Sequence, residues 1–187
     1  MHWLLVAVLI AVPKLPHGKR PPAPAAQPVE QLSPEEARRR AEAYLGSIDT
    51  PISAAQWKAL GAAGGAVLEP IVRDPQAMPT RRAHALEGLV HAAPDRAAPL
   101  VSALARDESA PVVVRVAAMH GAPALFGSSK LVTELKPVLQ RAQDPGLRSV
   151  AADVLSRHGK KAGCAAVKAQ AAREDNPGFE RPVGNCQ

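Results

Sequence analysis

Aromatic residues make up only 3% of the 187-residue chain, two Trp, two Phe and one Tyr. That scarcity speaks against a β-sandwich, whose faces are filled by aromatic and β-branched side chains at period two. The longest run of the β-branched kind, Val112-Val113-Val114, stands inside a helical pattern. It also leaves few platforms on which exposed or flipped bases would stack. The familiar catalytic signatures are missing too: His-Glu-x-x-His, Gly-x-Ser-x-Gly, Gly-x-x-x-x-Gly-Lys and Gly-x-Gly-x-x-Gly do not occur. Gly121 and Gly127 fall at neither phosphate-cradling spacing. A search for motifs does not reach groups that converge from distant parts of the chain, but it assigns no catalytic residue, metal ligand or cofactor here.

No apolar run reaches the roughly 17–25 residues that a membrane span needs. Trp3–Val12 is an unbroken apolar stretch of ten residues, which suits the core of an export signal. Its leading region lacks Lys and Arg, and Lys14, Lys19 and Arg20 precede the nearest small-x-small site at Ala23-Pro24-Ala25. Residues 1–25 are therefore read as a signal peptide or an N-terminal anchor, with any membrane contact confined to residues 1–12 if they are retained. Prolines at 13, 16, 21, 22, 24 and 28 punctuate the segment up to residue 32, and residues 26–32 form a stiff Pro-rich linker. The formal charge is +6. Setting aside Lys14, Lys19 and Arg20 leaves 20 basic against 17 acidic residues, the balance of an ordinary soluble surface.

What the chain does have is a repeat. Arg82-Ala83-His84-Ala85-Leu86-Glu87-Gly88-Leu89 aligns with Arg115–Ala122 and with Arg148–Leu155 at a fixed spacing of 33 residues. Arg opens each copy, Ala85, Ala118 and Ala151 recur three positions on, and the eighth position is Leu, Ala, Leu. A second register matches Leu68, Ile71 and Arg73 to Val101, Leu104 and Arg106. Such a period predicts an all-α solenoid of stacked antiparallel helix pairs, about four of them over residues 33–174, preceded by an extra N-terminal helix. Ser33-Pro34-Glu35-Glu36 starts that first helix with a cap, a proline at the first position and a capping box through Glu36; it runs to about Gly46 with Ala41, Tyr44, Leu45 and Ile48 inward. Ser53 caps the next helix. Further helices are expected at 53–62 and 65–73, 80–92 and 95–106, 111–124 and 129–142, and 146–158 and 160–173. Gly64-Gly65 and the breakers Asp74-Pro75, Ala93-Pro94, Asp107-Glu108, Gly127-Ser128, Asp144-Pro145 and His158-Gly159 separate them.

Ala98–Asp107 followed by Val113-Val114-Arg115-Val116-Ala117-Ala118 resembles a HEAT repeat, with an apolar second helix, an Asp in the turn and Val-Arg-x-x-Ala opening the next helix. The resemblance covers about residues 50–174; the last copy departs, Asp144 lying four residues before Arg148 where Asp74 and Asp107 lie eight before Arg82 and Arg115. It implies a polar ladder pairing Asp74 with Arg82 and Asp107 with Arg115, or with copies one repeat along, and involving Arg148. Pro70, Pro99 and Pro137 fall in second helices and would kink them if placed beyond the first turn.

Two cysteines, Cys164 in the last helix and the penultimate Cys186, suit an oxidising compartment. The reading is that residues 175–187 fold back over the terminal repeat and that a Cys164–Cys186 bridge pins them, covering an apolar face with no further neighbour. His84, Glu87 and His91 share one helical face, with His120 one repeat away at the position equivalent to Glu87; metal binding there is a minor alternative to simple exposure. Lys130, Lys136, Arg141, Arg148, Arg157, Lys160, Lys161, Lys168 and Arg173 make the later repeats mildly basic, read as a charge-mixed solvated face rather than a nucleic-acid site. Together these features point to an exported or envelope-tethered scaffold for an unidentified protein partner, periplasmic or extracellular, without catalysis. An accessory role on a cofactor-bearing or nucleic-acid partner is the alternative.

Overall fold

The computed structural model describes residues 32–47 and 49–187. The N-terminal signal or anchor, nearly all of the linker and Ile48 lie outside the described residues. Leu32, the linker's last residue, is partly buried against the core, so the folded body begins one residue earlier than the Ser33 boundary.

Helix α1 (Pro34–Leu45) starts at the strongest start signal in the chain. The Ser33 hydroxyl accepts from the Glu36 backbone N–H at 3.2 Å, satisfying one of the donors that a helix start leaves free. The expected reciprocal box does not close: the Glu36 carboxylate is drawn instead to Arg40 Nε (2.6 Å) and to Arg39. Ser53 and Gln56 do form the full box ahead of α2 (Ala54–Ala59). Helices α3 (Gly61–Arg73), α4 (Pro79–Ala92), α5 (Pro94–Arg106), α6 (Val112–Leu125), α7 (Ser128–Arg141), α8 (Pro145–His158) and α9 (Lys160–Ala171) follow. A 3-10 turn (Pro177–Phe179) and α10 (Glu180–Gly184) end the chain.

Among the described residues all regular structure is helical, and the helices pack in sequence order as a short solenoid. The pairs are α2 with α3, α4 with α5, α6 with α7 and α8 with α9. First helices α4, α6 and α8 stack on one another, and each second helix packs against the next first helix.

One break moved. Gly64-Gly65 does not interrupt the chain but lies buried inside α3; the helix boundary falls at Leu60-Gly61, where Gly61 takes φ +56°. The two glycines serve close approach instead. A Cβ on Gly64 would stand 2.3 Å from the Leu60 Cβ, and one on Gly65 would stand 2.5 Å from the Ala93 Cβ. Pro70, Pro99 and Pro137 all lie beyond the first turn of α3, α5 and α7, and Pro123 does so in α6. Each removes one donor from its helix ladder.

The repeat positions are the core. Ala85, Ala118, Ala151 and the eighth-position Leu89, Ala122 and Leu155 are all wholly buried. The seventh position works with them. A Cβ on Gly88 would meet the Trp57 ring at 2.6 Å, and one on Gly121 would meet the Val90 side chain at 2.8 Å. Small side chains at these two positions are what let one first helix lie against the last. Replacing Ala118 by Leu should therefore cost about 1–3 kcal/mol through overpacking, read as a lowered denaturant midpoint. An unchanged midpoint would mean that the α4–α6 contact is looser than described.

Candidate interaction surface

The arginine that opens each repeat does not pair with the turn aspartate. Asp74 accepts from the Gln76 backbone N–H (2.8 Å) and Asp107 from the Ser109 N–H and hydroxyl (2.9 and 2.6 Å), each closing its own turn. Asp144, displaced by four residues, caps α8 through the Gly146 N–H (2.7 Å). The arginines reach back over the turn to the helix that precedes them. Arg82 Nε donates to the Val72 carbonyl (3.1 Å), Arg115 to Ala105 (3.5 Å) and Arg148 to Ala142 (2.6 Å) and Gln143 (3.1 Å). The expected Asp–Arg ladder is therefore absent among the described residues. Each arginine reaches a backbone carbonyl of the preceding helix or its cap, and Arg115 is held more closely by Glu108 (2.9 and 3.0 Å). Val72 and Ala105 lie in the last turns of α3 and α5, and Ala142 caps α7. The last carbonyls of a helix have no partner within it and carry the negative end of its dipole, so a cation placed there satisfies and neutralises them together. Arg82 and Arg115 are buried, at 8% and 3% exposure.

Arg148 has a further partner that the sequence did not suggest. Glu174, just past α9, takes its Nε and Nη2 at 2.9 and 2.5 Å, and also accepts from Gln170 and Asn176. The Arg148 guanidinium first, with the Gln170 and Asn176 donors, lowers the Glu174 carboxyl to a pKa of about 2. Asn176 in turn bonds Ser149 (3.1 Å) and Pro145, Phe179 is buried at 3% exposure, and Arg181 of α10 approaches Asp153 of α8 at 3.0 Å. Cys164 and Cys186 come to disulfide distance, with their Cα atoms 5.3 Å apart. The tail thus folds over α8 and α9 and closes the end of the stack, the arrangement expected from sequence.

Along the first helices the histidine stripe is shallow. Glu87, His91 and His120 border a cavity of about 200 Å³ with Val90, Ala117 and Gly121, and His84 and Glu87 border a neighbouring one of about 240 Å³ beside Trp57. Among the described residues no three His, Cys, Asp or Glu side chains converge on a position that would hold a metal ion.

The two rows of helices carry basic and acidic residues in the same three-to-one ratio and differ in which cations are paired. Helices α3, α5, α7 and α9 carry nine basic residues against three acidic ones, with Arg173 just beyond α9. First helices α2, α4, α6 and α8 carry six against two, and three of those six are the capping arginines. To the reading of a mildly basic, charge-mixed surface the structure adds where the unpaired cations lie. Arg148 and Arg157 belong to α8 and are engaged by Glu174 and Asp153, while the remaining cations gather on one row. On that row Glu69 is held between Arg73 (2.9 Å) and Arg96 (3.2 Å), and Glu134 is held by Arg106 (2.5 Å). The Arg73 guanidinium first lowers the pKa of Glu69. Lys130, Lys136, Arg141, Lys160, Lys161 and Lys168 have no carboxylate within ion-pair distance among the described residues; Lys130 lies over the Phe126 ring at 4.7 Å. Between the α5–α6 turn and the end of α7 opens a cleft of about 260 Å³ lined by Arg106, Glu108, Arg115, Pro137, Val138 and Arg141 among others.

Comparison of the chain with protein-family models, with curated proteins and with solved structures gave no match.

Two outcomes follow from the terminal cap. A carboxyl whose folded pKa is depressed stabilises fully above its unfolded value and loses that contribution as pH falls through the folded one. Unfolding followed between pH 7 and pH 2 should therefore show a loss of stability setting in below about 4.5 and running on towards about 2. Glu174→Gln should cost about 1.5–3 kcal/mol at pH 7 and weaken that acid limb; an unaltered limb would place the titration elsewhere. Reduction of the bridge, which closes a separation of 22 residues, should cost about 3 kcal/mol in the chain-entropy model. Equal melting temperatures with and without reductant would show that the bridge does not hold the tail.

Proposed function

We propose that the protein is a HEAT-like helical-repeat scaffold that binds another protein without catalysis, in an exported, oxidising setting, periplasmic or extracellular. The observation that carries this reading is the closure of the stack's C-terminal end. An unsealed terminal repeat exposes apolar surface and invites copies to join end to end, whereas a sealed one leaves the lateral rows of helices as the working surface. Here the last repeat is covered by Phe179, by the Arg148–Glu174–Asn176 network and by the Cys164–Cys186 pair. The cysteine pair is compatible with an oxidising compartment, and the apolar run at residues 3–12 fits an export segment or anchor. No described helix is long and apolar enough to cross a membrane.

Lysine-directed cross-linking of the tagged full chain in its native host, followed by purification and mass spectrometry, should recover a stoichiometric protein partner joined through named lysines. Recovery of the chain alone, or with nucleic acid only, would overturn the scaffold reading. Alkylation without reductant, on protein taken from its native compartment, should label neither cysteine. Labelling of both would overturn the placement in an oxidising compartment.

A further inference from the structure

The last residue of each of the first three second helices is an arginine: Arg73 ends α3, Arg106 ends α5 and Arg141 ends α7. Arg73 is neutralised by Glu69 of its own helix and Arg106 by Glu134 of the next second helix. The next second helix after α7 is α9, which contains no acidic residue, so no carboxylate of a neighbouring second helix does for Arg141 what Glu134 does for Arg106. Arg141 stands on the rim of the 260 Å³ cleft. Facing it, Arg115 is 3% exposed, its terminal nitrogens held by the half-exposed Glu108 at 2.9 and 3.0 Å, and its Nε is buried without a hydrogen-bond partner. The cleft is therefore lined by three guanidinium groups, of which Arg106 is paired with Glu134 and Arg115 with Glu108 at the cleft itself, and by the apolar Pro137 and Val138; Arg141 is the cation left open to a new partner.

Resting on the scaffold reading, we propose that this cleft receives a carboxylate side chain of an acidic segment of a partner protein, which continues across the unneutralised cations of α7 and α9. The planar fork of Arg141 matches a carboxylate through two parallel hydrogen bonds, and the flanking lysines add attraction at the rim. A protein is favoured over other polyanions by what accompanies the charge. The exposed large apolar residues Met78, Val112 and Val113 lie where first helices begin, on the same turn edge as Arg73, Arg106 and Arg141. Apolar contact beside a charged rim is the make-up of a protein interface. The second helices themselves show no exposed aromatic side chain on which bases would stack, and no large apolar side chain to enter a bilayer.

The test uses the full chain and a short fluorescein-labelled poly-Glu peptide, titrated by anisotropy at about 0.1 M salt, where charges within roughly 10 Å still act. The parent protein should bind. Arg141→Glu should weaken binding about tenfold, and Lys161→Glu with Lys168→Glu by a similar factor, since a surface pair contributes a factor of up to about five and charge reversal adds repulsion to the lost attraction. Arg157→Glu, on α8, should bind as the parent does. Melting curves of all variants establish that each is folded before it is compared. Equal binding by parent and Arg141→Glu overturns the proposal, as does absence of peptide binding to the parent. Tighter binding of duplex DNA, or of phosphatidylglycerol vesicles, than of poly-Glu at the same salt overturns it in favour of another polyanion. A partner cross-linked through Lys58 on α2, with no poly-Glu binding, sinks this surface while the scaffold reading stands. Poly-Glu binding that is lost in Arg141→Glu, with no protein recovered by cross-linking, supports the surface and sinks the scaffold reading.

Discussion

Each first helix lies against the next through side chains that scarcely extend beyond the backbone. Ala85, Ala118 and Ala151 are wholly buried, and Gly88 and Gly121 stand where a Cβ would collide with Trp57 and with Val90. That closeness sets the rest of the stack. Helices drawn together on one row must diverge on the other, and the second helices touch along less of their length than the first. The divergence leaves the cleft between α5 and α7, and it brings each turn within reach of the arginine that opens the following repeat. Packing on one side therefore produces both the arginine caps and the open surface on the other.

The arginine caps are a solution to an end problem repeated three times. Every helix pair leaves unbonded carbonyls at the close of its second helix, and burial would make each of them costly. Arg82, Arg115 and Arg148 supply the missing donors from the next repeat, so a second helix is finished by its neighbour. This makes the stack cooperative in one direction, since removing a repeat unseats the cap of the one before it. At the C-terminal end the problem returns in another form, because Arg148 sits in the last first helix with no further repeat over it. Glu174, Asn176 and the returning tail take that place. The depressed acidity of Glu174 is the electrostatic mark of that substitution.

Much of this was legible in the sequence because it depends on local rules. Helix ends were written in Ser33, Asp74-Pro75, Ala93-Pro94 and His158-Gly159, and the core in the recurring alanines, which chain spacing alone puts on one face. The tail's return followed from two cysteines and an uncovered last helix. What failed depended on where long side chains go. Glu36 had two arginines within reach and chose them over its own backbone. The aspartate and arginine of each repeat were near enough in sequence to suggest a pair, but a short Asp side chain closes its own turn before it can reach across. Gly64-Gly65 looked like punctuation and turned out to be a packing site, since a glycine signals absent bulk without saying whether backbone freedom or a neighbour requires it. The basic row was hidden by reading order. Counting charge along the chain mixes α7, α8 and α9, whereas counting by alternate helices would have separated Arg148 and Arg157 from the cations of α7 and α9.

The distribution of acidic residues explains why those cations stay unneutralised. Asp74, Asp107 and Asp144 are tied to backbone N–H groups of their own turns, Glu108 to Arg115, Glu174 to Arg148, and Asp153 to Arg157 and Arg181. Of the carboxylates near the later repeats, Asp107, Asp144, Glu108 and Glu174 close turns or hold the capping arginines. Glu134 and Asp153 pair with other arginines, and Asp175 and Glu180 make no ion pair or side-chain hydrogen bond among the described residues. The second helices α7 and α9 are left with six basic residues and a single acid, Glu134, which Arg106 already holds. Like charges at such density repel one another and give nothing back to the isolated fold. The proposed acidic partner would meet these cations beside a cleft in which Arg141 alone of three arginines has no carboxylate. The first-helix row is where the small core residues pack, and the second-helix row is where the proposed recognition rests.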